Sequence, residues 1–380
     1  MMSTTTYAEP IVPVDIGPVT SPKLPFRASV SVIVPCYNEG RFIGKALEKL
    51  ADQYRPEAYE IIVVDGMSDD HTREVVVEFQ RSHPELAIRI VDNPARKIPH
   101  ALNLGIAAAR GEVIARIDAH AAPSPGYIRR CVEVLSESSG AVVGMPCRVR
   151  PGEDSITARA IALAVSHPFG IGDAKYRLNS VAGGEGATQE SVDTVAFACF
   201  RKSLWAELGG FDEKLLTNED YDFNYRVRLR GDKVLLDRSE RCDYFARATL
   251  AKLASQYLRY GAWKARMIRQ RPRSMKWRHL VAPAFVASIV FLTAIGFWRT
   301  IAWKMLALEL ATYLTAATAF AYHAVRRERE KFPVMLTMPL VFFTIHFSWG
   351  TSFLWGLATT PRGLRHFPVS RRGSSKRISK

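Results

Sequence analysis

The chain has 380 residues, a formal net charge of +15 and 48% hydrophobic residues. Its length exceeds that of a usual single domain, so we expect one large domain and a smaller part. The charge would suit nucleic acid, an anionic membrane surface or an anionic substrate, but no nucleic-acid recognition motif accompanies it. The densest basic run, residues 264–278, directly precedes a long apolar stretch. This position favours a membrane over nucleic acid, and we expect no nucleic-acid partner.

The N-terminal residues 1–27 are rich in proline and lack a basic start followed by an apolar core, so we expect a flexible leader and no secretory signal. The cysteines show neither Cys-x-x-Cys spacing nor a dense disulfide framework. We therefore expect reduced, mostly buried thiols in a cytosolic domain. The five are Cys36, Cys131, Cys147, Cys199 and Cys242.

Short β-branched runs alternate with helical patterns in the first part of the chain. Strands are predicted at residues 30–35, 61–64, 88–91 and 113–117, and helices at residues 39–50, 72–79 and 101–109. This alternation predicts a parallel sheet with helices on both faces. Ligands of such folds bind at the carboxyl ends of the strands. Because Asp65 and Asp118 each follow a strand directly, we expect both carboxylates at one edge of the sheet.

The pattern becomes less regular after residue 140. Strands are predicted at residues 141–145 and 192–200, and helices at residues 155–165, 203–208 and 221–230. Gly209 and Gly210 would close the second of these helices, and Asn218 gives the third a polar start. The glycine-rich residues 170–186 would form either a lid on the acceptor side or a long connection.

Three apolar regions end the chain, at residues 280–297, 301–324 and 332–358. Each approaches or exceeds the roughly 20 residues that cross a bilayer. The positive-inside rule places the basic residues flanking the first two in the cytoplasm, with a turn at residues 298–300 between two crossings. Lys304 and Glu309 make the second region an imperfect span.

A third crossing would conflict with that rule, because it would expose the basic tail, residues 360–380, outside. The third region is therefore expected to be re-entrant or interfacial, with His346, Gly350 and Gly356 interrupting it.

Four segments follow one another in order: VSVIVPCYNEG, EIIVVDGMSDDHT, GEVIARIDAH and GGFDEKLLTNEDYDFNYRVRLRG. Together they resemble family 2 glycosyltransferases, over about residues 28–262, and among these the membrane-attached succinoglycan-type glucosyltransferases of bacterial exopolysaccharide assembly. The resemblance implies an α/β fold: a GT-A (Rossmann-like) nucleotide-sugar-binding domain at residues 28–250. A basic amphipathic interfacial segment, residues 251–279, and hydrophobic membrane helices, residues 280–359, would follow.

The resemblance implies that the Asp65 carboxylate contacts the nucleoside base. Alone, Asp65 before Gly66 would fit a turn that ends a strand, and Gly66 stands where the family carries a second acid. Pro35, Tyr37 and Glu39 match the motif of the first strand and would wall the nucleotide pocket.

Asp118 and His120 stand where the family carries its Asp-x-Asp metal motif. A divalent cation, Mn or Mg, would bridge the diphosphate and offset the charge on the leaving nucleoside diphosphate. The histidine mildly favours Mn. Taken alone, His120 fits an ordinary polar loop residue equally well.

Glu219 and Asp220 match the acidic pair of the family, whose second member is the general base on the acceptor hydroxyl. One base opposite the leaving group gives direct displacement with inversion. The pair would also suit the start of a helix. Asp222 is expected to turn away from Asp220 by helical geometry.

Gln256, Arg259 and Tyr260 resemble the Gln-x-x-Arg-Trp motif of processive synthases, in which the arginine meets the diphosphate and the aromatic residue lines the acceptor path. Tyrosine in place of tryptophan argues against strict processivity. The same residues fit an amphipathic interfacial helix.

The resemblance therefore predicts an inverting glycosyltransferase at the inner (cytoplasmic) membrane, with its catalytic domain facing the cytoplasm. UDP-glucose or a near relative would be the donor, and a polyprenyl-diphosphate-linked oligosaccharide the acceptor. The alternatives are a polyprenyl-phosphate sugar transferase, a processive polysaccharide synthase, or a non-catalytic nucleotide-binding membrane assembly subunit.

Overall fold

The computed structural model describes residues 30–55, 58–138, 140–178 and 189–359. The predicted leader and basic tail, and the second half of the predicted glycine-rich loop, lie outside these ranges. The strands are β1 (Val30–Cys36), β2 (Tyr59–Asp65), β3 (Ala87–Asp92), β4 (Val113–Arg116), β5 (Ala121–Pro123), β6 (Gly140–Gly144), β7 (Cys147–Arg150), β8 (Gln189–Ser191), β9 (Cys199–Arg201), β10 (Lys233–Asp237) and β11 (Cys242–Phe245).

Helices follow most of these strands. They are α1 (Ile43–Ala51), α2 (Thr72–Ser82), α3 (Ile98–Ala108), α4 (Tyr127–Glu137), α5 (Ile156–Ala164), α6 (Pro168–Ile171), α7 (Lys202–Leu208), α8 (Glu219–Leu229), α9 (Leu250–Gln270), α10 (Arg278–Gly296), α11 (Thr300–Glu328) and α12 (Phe332–Thr359).

The main sheet has eight strands in the order β3-β2-β1-β4-β9-β6-β10-β8 among the described residues. The first four are parallel, as predicted. Beyond β4 the sheet is mixed, because β9 pairs antiparallel with both β4 and β6, β8 pairs antiparallel with β10, and β6 pairs parallel with β10. The single strand predicted at residues 192–200 is wrong. The chain leaves the sheet after β8 and re-enters only at Cys199, two residues after Phe197, which has a φ of 49°.

Two apolar layers enclose this sheet, since successive strand residues point to opposite faces. Val32 packs in the layer covered by α1, α2 and α4, whereas Ile33 packs in the layer covered by α3, α7 and α8. The expected helices on both faces are confirmed. All five cysteines are buried and free, which confirms the expectation for the thiols.

A second, three-stranded sheet lies beside the main one. Strand β11 pairs antiparallel with β5 and parallel with β7. Because β5 directly follows β4 along the chain, this sheet carries β11, and α9 after it, toward the carboxyl end of β4. The small sheet therefore brings the C-terminal part of the domain to the predicted site.

Helices α10, α11 and α12 are each long and apolar enough to cross a membrane, by length and composition. Helix α12 is continuous over 28 residues, so the prediction that His346, Gly350 and Gly356 interrupt it is wrong. The two glycines instead permit close helix packing. A Cβ atom on Gly350 would lie 2.6 Å from the Ala282 carbonyl oxygen of α10.

Candidate active site

The candidate site begins where β2, β1 and β4 end, side by side. Asp65 is the last residue of β2 and is paired in register with Cys36, the last residue of β1. Asp118 lies two residues beyond the end of β4, which is the other neighbour of β1. This arrangement confirms the expectation that Asp65 and Asp118 share one edge of the sheet.

Asp65 is almost fully buried, with 1% of its surface exposed. Its Oδ2 accepts hydrogen bonds from Arg73 Nη1 at 2.9 Å and from the Ser68 backbone N–H at 3.1 Å. The Ser68 hydroxyl donates to Oδ1 at 2.5 Å. Arg73 also reaches Asp92 at the end of β3, 2.7 Å away. Asp65 is therefore a fixed acceptor at the sheet edge, and its contact with a nucleoside base stays a prediction.

Tyr37 and Glu39 follow β1 and line the same edge, whereas Pro35 lies within that strand and pairs with Val64. The Tyr37 ring is 43% exposed and has the Arg96 guanidinium carbon 5.5 Å from its centroid. A Cβ atom on Gly66 would lie 3.1 Å from Tyr37 Cβ. The glycine thus brings the end of β2 close to Tyr37, where a second acid would be crowded.

Arg116, which no sequence motif marked, forms ion pairs with two of the predicted site residues. Its Nε lies 3.1 Å from Oδ1 of Asp118, and its Nη1 lies 3.0 Å from Oε1 of Glu219. The side chain is only 13% exposed. The sequence offered one signal, an arginine at the end of an apolar strand two residues before Asp118. That spacing puts both side chains on one side of extended chain.

Glu219 and Asp220 begin α8, but their surroundings differ. Glu219 is buried, and burial raises its pKa to about 7, against the opposing attraction of Arg116. Asp220 is half-buried, and its Oδ1 accepts the Tyr221 backbone N–H at 2.6 Å. Of the pair, Asp220 is therefore the carboxylate better placed to meet a substrate.

Asp222 is turned away from this pair, as the helical spacing predicted. It is fully buried and accepts from Arg226 Nε at 2.8 Å and from Arg271 Nε. The two arginines come from α8 and from the end of α9. Asp222 is thus a structural ion-pair residue that ties α8 to the C-terminal part of the chain.

His120 contacts Glu39 across the edge, with its Nδ1 3.2 Å from Oε1 of that residue. The hydrogen bond to Glu39 raises the pKa of His120 above its ordinary value, against the effect of burial. Among the described residues no three His, Cys, Asp or Glu side chains converge as a complete metal cage. Hard cations bound with substrate phosphates commonly take only one or two protein carboxylates. The partly exposed Asp118 and His120 fit such a donor set.

Gln256, Arg259 and Tyr260 lie on α9, and the structure separates Arg259 from the other two. Gln256 is buried, and its Nε2 donates to the hydroxyls of Tyr260 at 3.0 Å and Tyr244 at 3.3 Å. Arg259 is exposed. A different arginine, Arg177, lies against these tyrosines, with its guanidinium carbon 5.1 Å from the Tyr244 ring centroid. No sequence signal marked Arg177, because Tyr244 lies far from it along the chain.

The chain is similar to known glycosyltransferases in sequence. The model of the family "Glycosyl transferase family 2" matches residues 31–205. A glucuronosyltransferase of Methanococcus voltae, named for dolichyl N-acetyl-alpha-D-glucosaminyl phosphate, is 25% identical over 86% of this chain and 97% of its own length. The succinoglycan biosynthesis protein ExoA of Rhizobium meliloti is 29% identical over 71% of this chain and 79% of its own length.

The fold also has a solved relative. A mannosyltransferase of Pyrobaculum calidifontis, in complex with GDP-Man and Mn²⁺, superposes with a TM-score of 0.59 at 22% identity, over 87% of this chain and 88% of the other. The two proteins therefore share a fold.

Proposed function

This chain carries a family 2 glycosyltransferase domain with the GT-A fold, and we propose that it is an inverting hexosyltransferase that extends a lipid-linked saccharide. One observation carries the proposal. The carboxylates of Asp118 and Glu219, 101 positions apart in the sequence, meet on the single guanidinium of Arg116. This ion-pair network supports the proposal, because Asp118 would hold the metal and Asp220, the candidate general base, directly follows Glu219.

Two groups of residues would hold the donor. Asp65 would accept a hydrogen bond from the base, beside Tyr37 and the backbone of Pro35. Asp118 and His120 would hold a divalent cation, Mn or Mg, which supplies positive charge to the diphosphate leaving group. His120 must be neutral to bind a metal, so Glu39 would accept the Nδ1–H while Nε2 faces the ion. UDP-glucose or a near relative is the proposed donor.

Asp220 would accept the proton of the acceptor hydroxyl as that oxygen attacks the anomeric carbon. Glu219 is the poorer candidate, because its carboxylate is buried against Arg116. A single base opposite the leaving group gives inversion, and with an α-linked nucleotide donor the product is a β-glycoside. Arg116 would remain charged throughout and hold Asp118 and Glu219 in place.

The proposed acceptor is a saccharide on a polyprenyl diphosphate. The Methanococcus voltae relative, which covers 86% of this chain, is named for an acceptor that already carries a sugar on a lipid phosphate. Three apolar helices directly follow the catalytic domain here. Both observations favour extension of a lipid-linked saccharide over transfer to a bare lipid phosphate.

The packing of α12 supports a specific arrangement at the membrane. It contacts α10 near Ala282 and Phe285, in the first half of that helix, and contacts α11 from Tyr313 onward, in the second half of that helix. Both halves adjoin the catalytic domain, where Arg159 of α5 pairs with Glu330 at 3.3 Å. Helix α12 therefore packs along the domain-side half of α11 and against the start of α10.

We accordingly propose that α10 and α11 cross the inner membrane and that α12 lies at its cytoplasmic surface in contact with lipid. The 19 residues of α10 span about 28 Å, close to the hydrocarbon thickness. The outer face of α12 carries exposed apolar side chains that would enter the interface. They are Phe332, Leu336, Leu340, Phe347 and Trp355. This arrangement keeps residues 360–380 in the cytoplasm, as the positive-inside rule requires.

Two other functions, a processive synthase and a non-catalytic assembly subunit, would give a different product or none. A processive synthase would add many sugars to one acceptor, and the Gln256 segment is the feature that favours it. A non-catalytic assembly subunit would bind nucleotide without turnover, and the assembled carboxylates at Asp118, Glu219 and Asp220 argue against it.

The test is transfer by purified full-length protein to polyprenyl-diphosphate-linked saccharides, with a panel of nucleotide sugars and either Mn or Mg. Mass spectrometry of the lipid product would count the sugars added. Addition of one hexose from one donor is expected. Long products would favour the synthase, and nucleotide binding without product from any donor would favour the assembly subunit.

A further inference from the structure

The guanidinium of Arg177 contacts tyrosine rings and forms no ion pair with a carboxylate of the described residues. Arg177 ends the short 3₁₀ turn Lys175–Arg177 that follows α6. Its guanidinium carbon lies 5.4 Å from the Tyr176 ring centroid and 5.1 Å from that of Tyr244. In the ranges that the structure covers, no carboxylate lies within ion-pair distance of Arg177, which is half-buried.

Two tyrosines of α9 complete what we call the tyrosine cage, which consists of Tyr176, Tyr244, Tyr257 and Tyr260. Tyr257 and Tyr260 stack edge to face with their ring centroids 5.7 Å apart. Gln256 donates to the hydroxyls of both Tyr244 and Tyr260, and so fixes two walls of the cage. Burial raises the pKa of Tyr176, Tyr257 and Tyr260, so these hydroxyls stay neutral at physiological pH.

A half-buried guanidinium without a carboxylate loses part of its hydration with no opposite charge to replace it. Contacts with the tyrosine faces offset part of that loss. The guanidinium donates one hydrogen bond to the Tyr260 hydroxyl. Its other N–H donors lie in a planar fork that matches the oxygens of a phosphate. The cage therefore suits a bound phosphate better than it suits Arg177 alone.

The tyrosine cage lies between the active site and the membrane helices. Tyr176 lies near the Asp220 carboxylate and the neutral Tyr260 hydroxyl, and Cys147 lies near Asp118, Asp220 and Arg177. On its other side, Tyr257 packs in one apolar cluster with residues of α11 and α12, including Ala317 and Val341. A lipid-borne group that enters from α12 would meet the cage before it meets Asp220.

We propose that Arg177, held by the tyrosine cage, binds the diphosphate of the lipid-linked acceptor. This inference rests on the proposed function and adds to it the residue that recognises the acceptor. The donor diphosphate is assigned to Asp118 and His120. Arg177 lies elsewhere, toward α9 and α12, and so would bind a different diphosphate.

The first test is binding, which needs no turnover. The full-length protein in detergent would be titrated with geranylgeranyl diphosphate, with geranylgeraniol, which has the same tail and no phosphate, and with UDP. The wild type is expected to prefer the diphosphate to the alcohol by at least tenfold. Arg177→Gln is expected to lose that preference and to change the UDP affinity less than twofold. Arg177→Lys, which keeps the charge without the fork, is expected to fall between them.

The second test is kinetic and uses the same variants. Arg177→Gln should raise the KM for the lipid-linked acceptor at least tenfold, with little change in the KM for the nucleotide sugar. Arg81→Gln, at an arginine whose side chain is 73% exposed on α2, is the matched control and should behave as wild type. Thermal unfolding checks the fold, and Arg177→Lys takes over the test if Arg177→Gln does not fold.

Three results would overturn the inference: an unchanged diphosphate preference in Arg177→Gln, an equal loss of UDP affinity, or the same effect in Arg81→Gln. Failure of the proposed function looks different. In that case the wild type would transfer no sugar, whatever the outcome of the binding titrations.

Discussion

Arg116 Nη1 lies 3.0 Å from Oε1 of Glu219, and this ion pair links the end of β4 to the start of α8. The same guanidinium contacts Asp118. Without Arg116, the carboxylates of Asp118, Glu219 and Asp220 would repel one another in a partly buried site. The arginine therefore sets the geometry in which one acid can face the donor and another the acceptor.

Replacement of Arg116 by glutamine is expected to lower kcat by about 10- to 100-fold, the usual cost of losing a residue that orients a catalytic carboxylate. Arg116→Lys should restore part of this activity, because it keeps the charge but not the two-pronged contact. Arg201→Gln on the adjacent strand β9 removes an exposed arginine outside the acidic cluster and serves as the control. Activity of Arg116→Gln equal to that of Arg201→Gln would show that the network has no catalytic role.

Glu219 predicts a pH dependence of stability. Its pKa in the folded chain is about 7, raised by burial from an ordinary value of 4.5. A raised carboxyl pKa contributes stability that is fully present below pH 4.5 and is lost as pH rises through 7. Glu219→Gln cannot ionise, so its melting temperature relative to wild type should increase from pH 5 to pH 8. The parallel control is Glu48→Gln at an exposed site on α1, for which this difference should stay flat. If the difference in melting temperature between Glu219→Gln and wild type is also independent of pH, then Glu219 does not have a raised pKa.

Asp222 predicts a loss of stability, in contrast to its neighbour Asp220. Asp222→Asn would leave the buried Arg226 and Arg271 without their shared carboxylate. Breaking a buried pair from one side typically costs about 3–5 kcal/mol. Chemical or thermal unfolding of the detergent-solubilised variant should show this cost, with nucleotide affinity at low temperature close to that of wild type. Wild-type stability would mean that the two arginines find water or other acceptors.

Gly261 predicts how tightly α9 and α12 must pack. A Cβ atom at this position would collide with Ser352 Oγ and the Trp349 carbonyl oxygen of α12. Gly261→Val should therefore destabilise the protein by about 1–3 kcal/mol, the usual range for an overpacked core. Ser255→Val places the same side chain on the exposed face of α9 and should cost much less. Equal melting temperatures of the two variants would contradict the packing of α12 on α9.

The parts of the fold that the sequence predicted are those with a regular pattern. Strands β1, β2 and β4 are β-branched and end at polar residues, so their parallel pairing and the shared edge at Asp65 and Asp118 could be predicted. The three-residue strands β8 and β9 are too short to show a period, and their antiparallel pairing depends on tertiary contacts. The glycines of α12 predict interruptions from the sequence, but in the structure they permit close packing and the helix is continuous.

The candidate site shows the same division. Its acids lie in recognisable local motifs, whereas Arg116 and Arg177 each contact a residue that is far away in the sequence. Arg116 meets Glu219 across 103 positions, and Arg177 meets Tyr244 across a stretch that includes residues outside the described ranges. A single sequence offers no pattern for such contacts.

The proposed mechanism depends on Asp220 as the general base of a glycosyl transfer. The most direct measurement is acceptor-dependent release of nucleoside diphosphate by the wild type and by Asp220→Asn, each with its nucleotide affinity measured separately. We predict that Asp220→Asn lowers turnover by roughly 10²- to 10⁴-fold and binds nucleotide almost as well as the wild type. Equal turnover of the two proteins would contradict the assignment of Asp220.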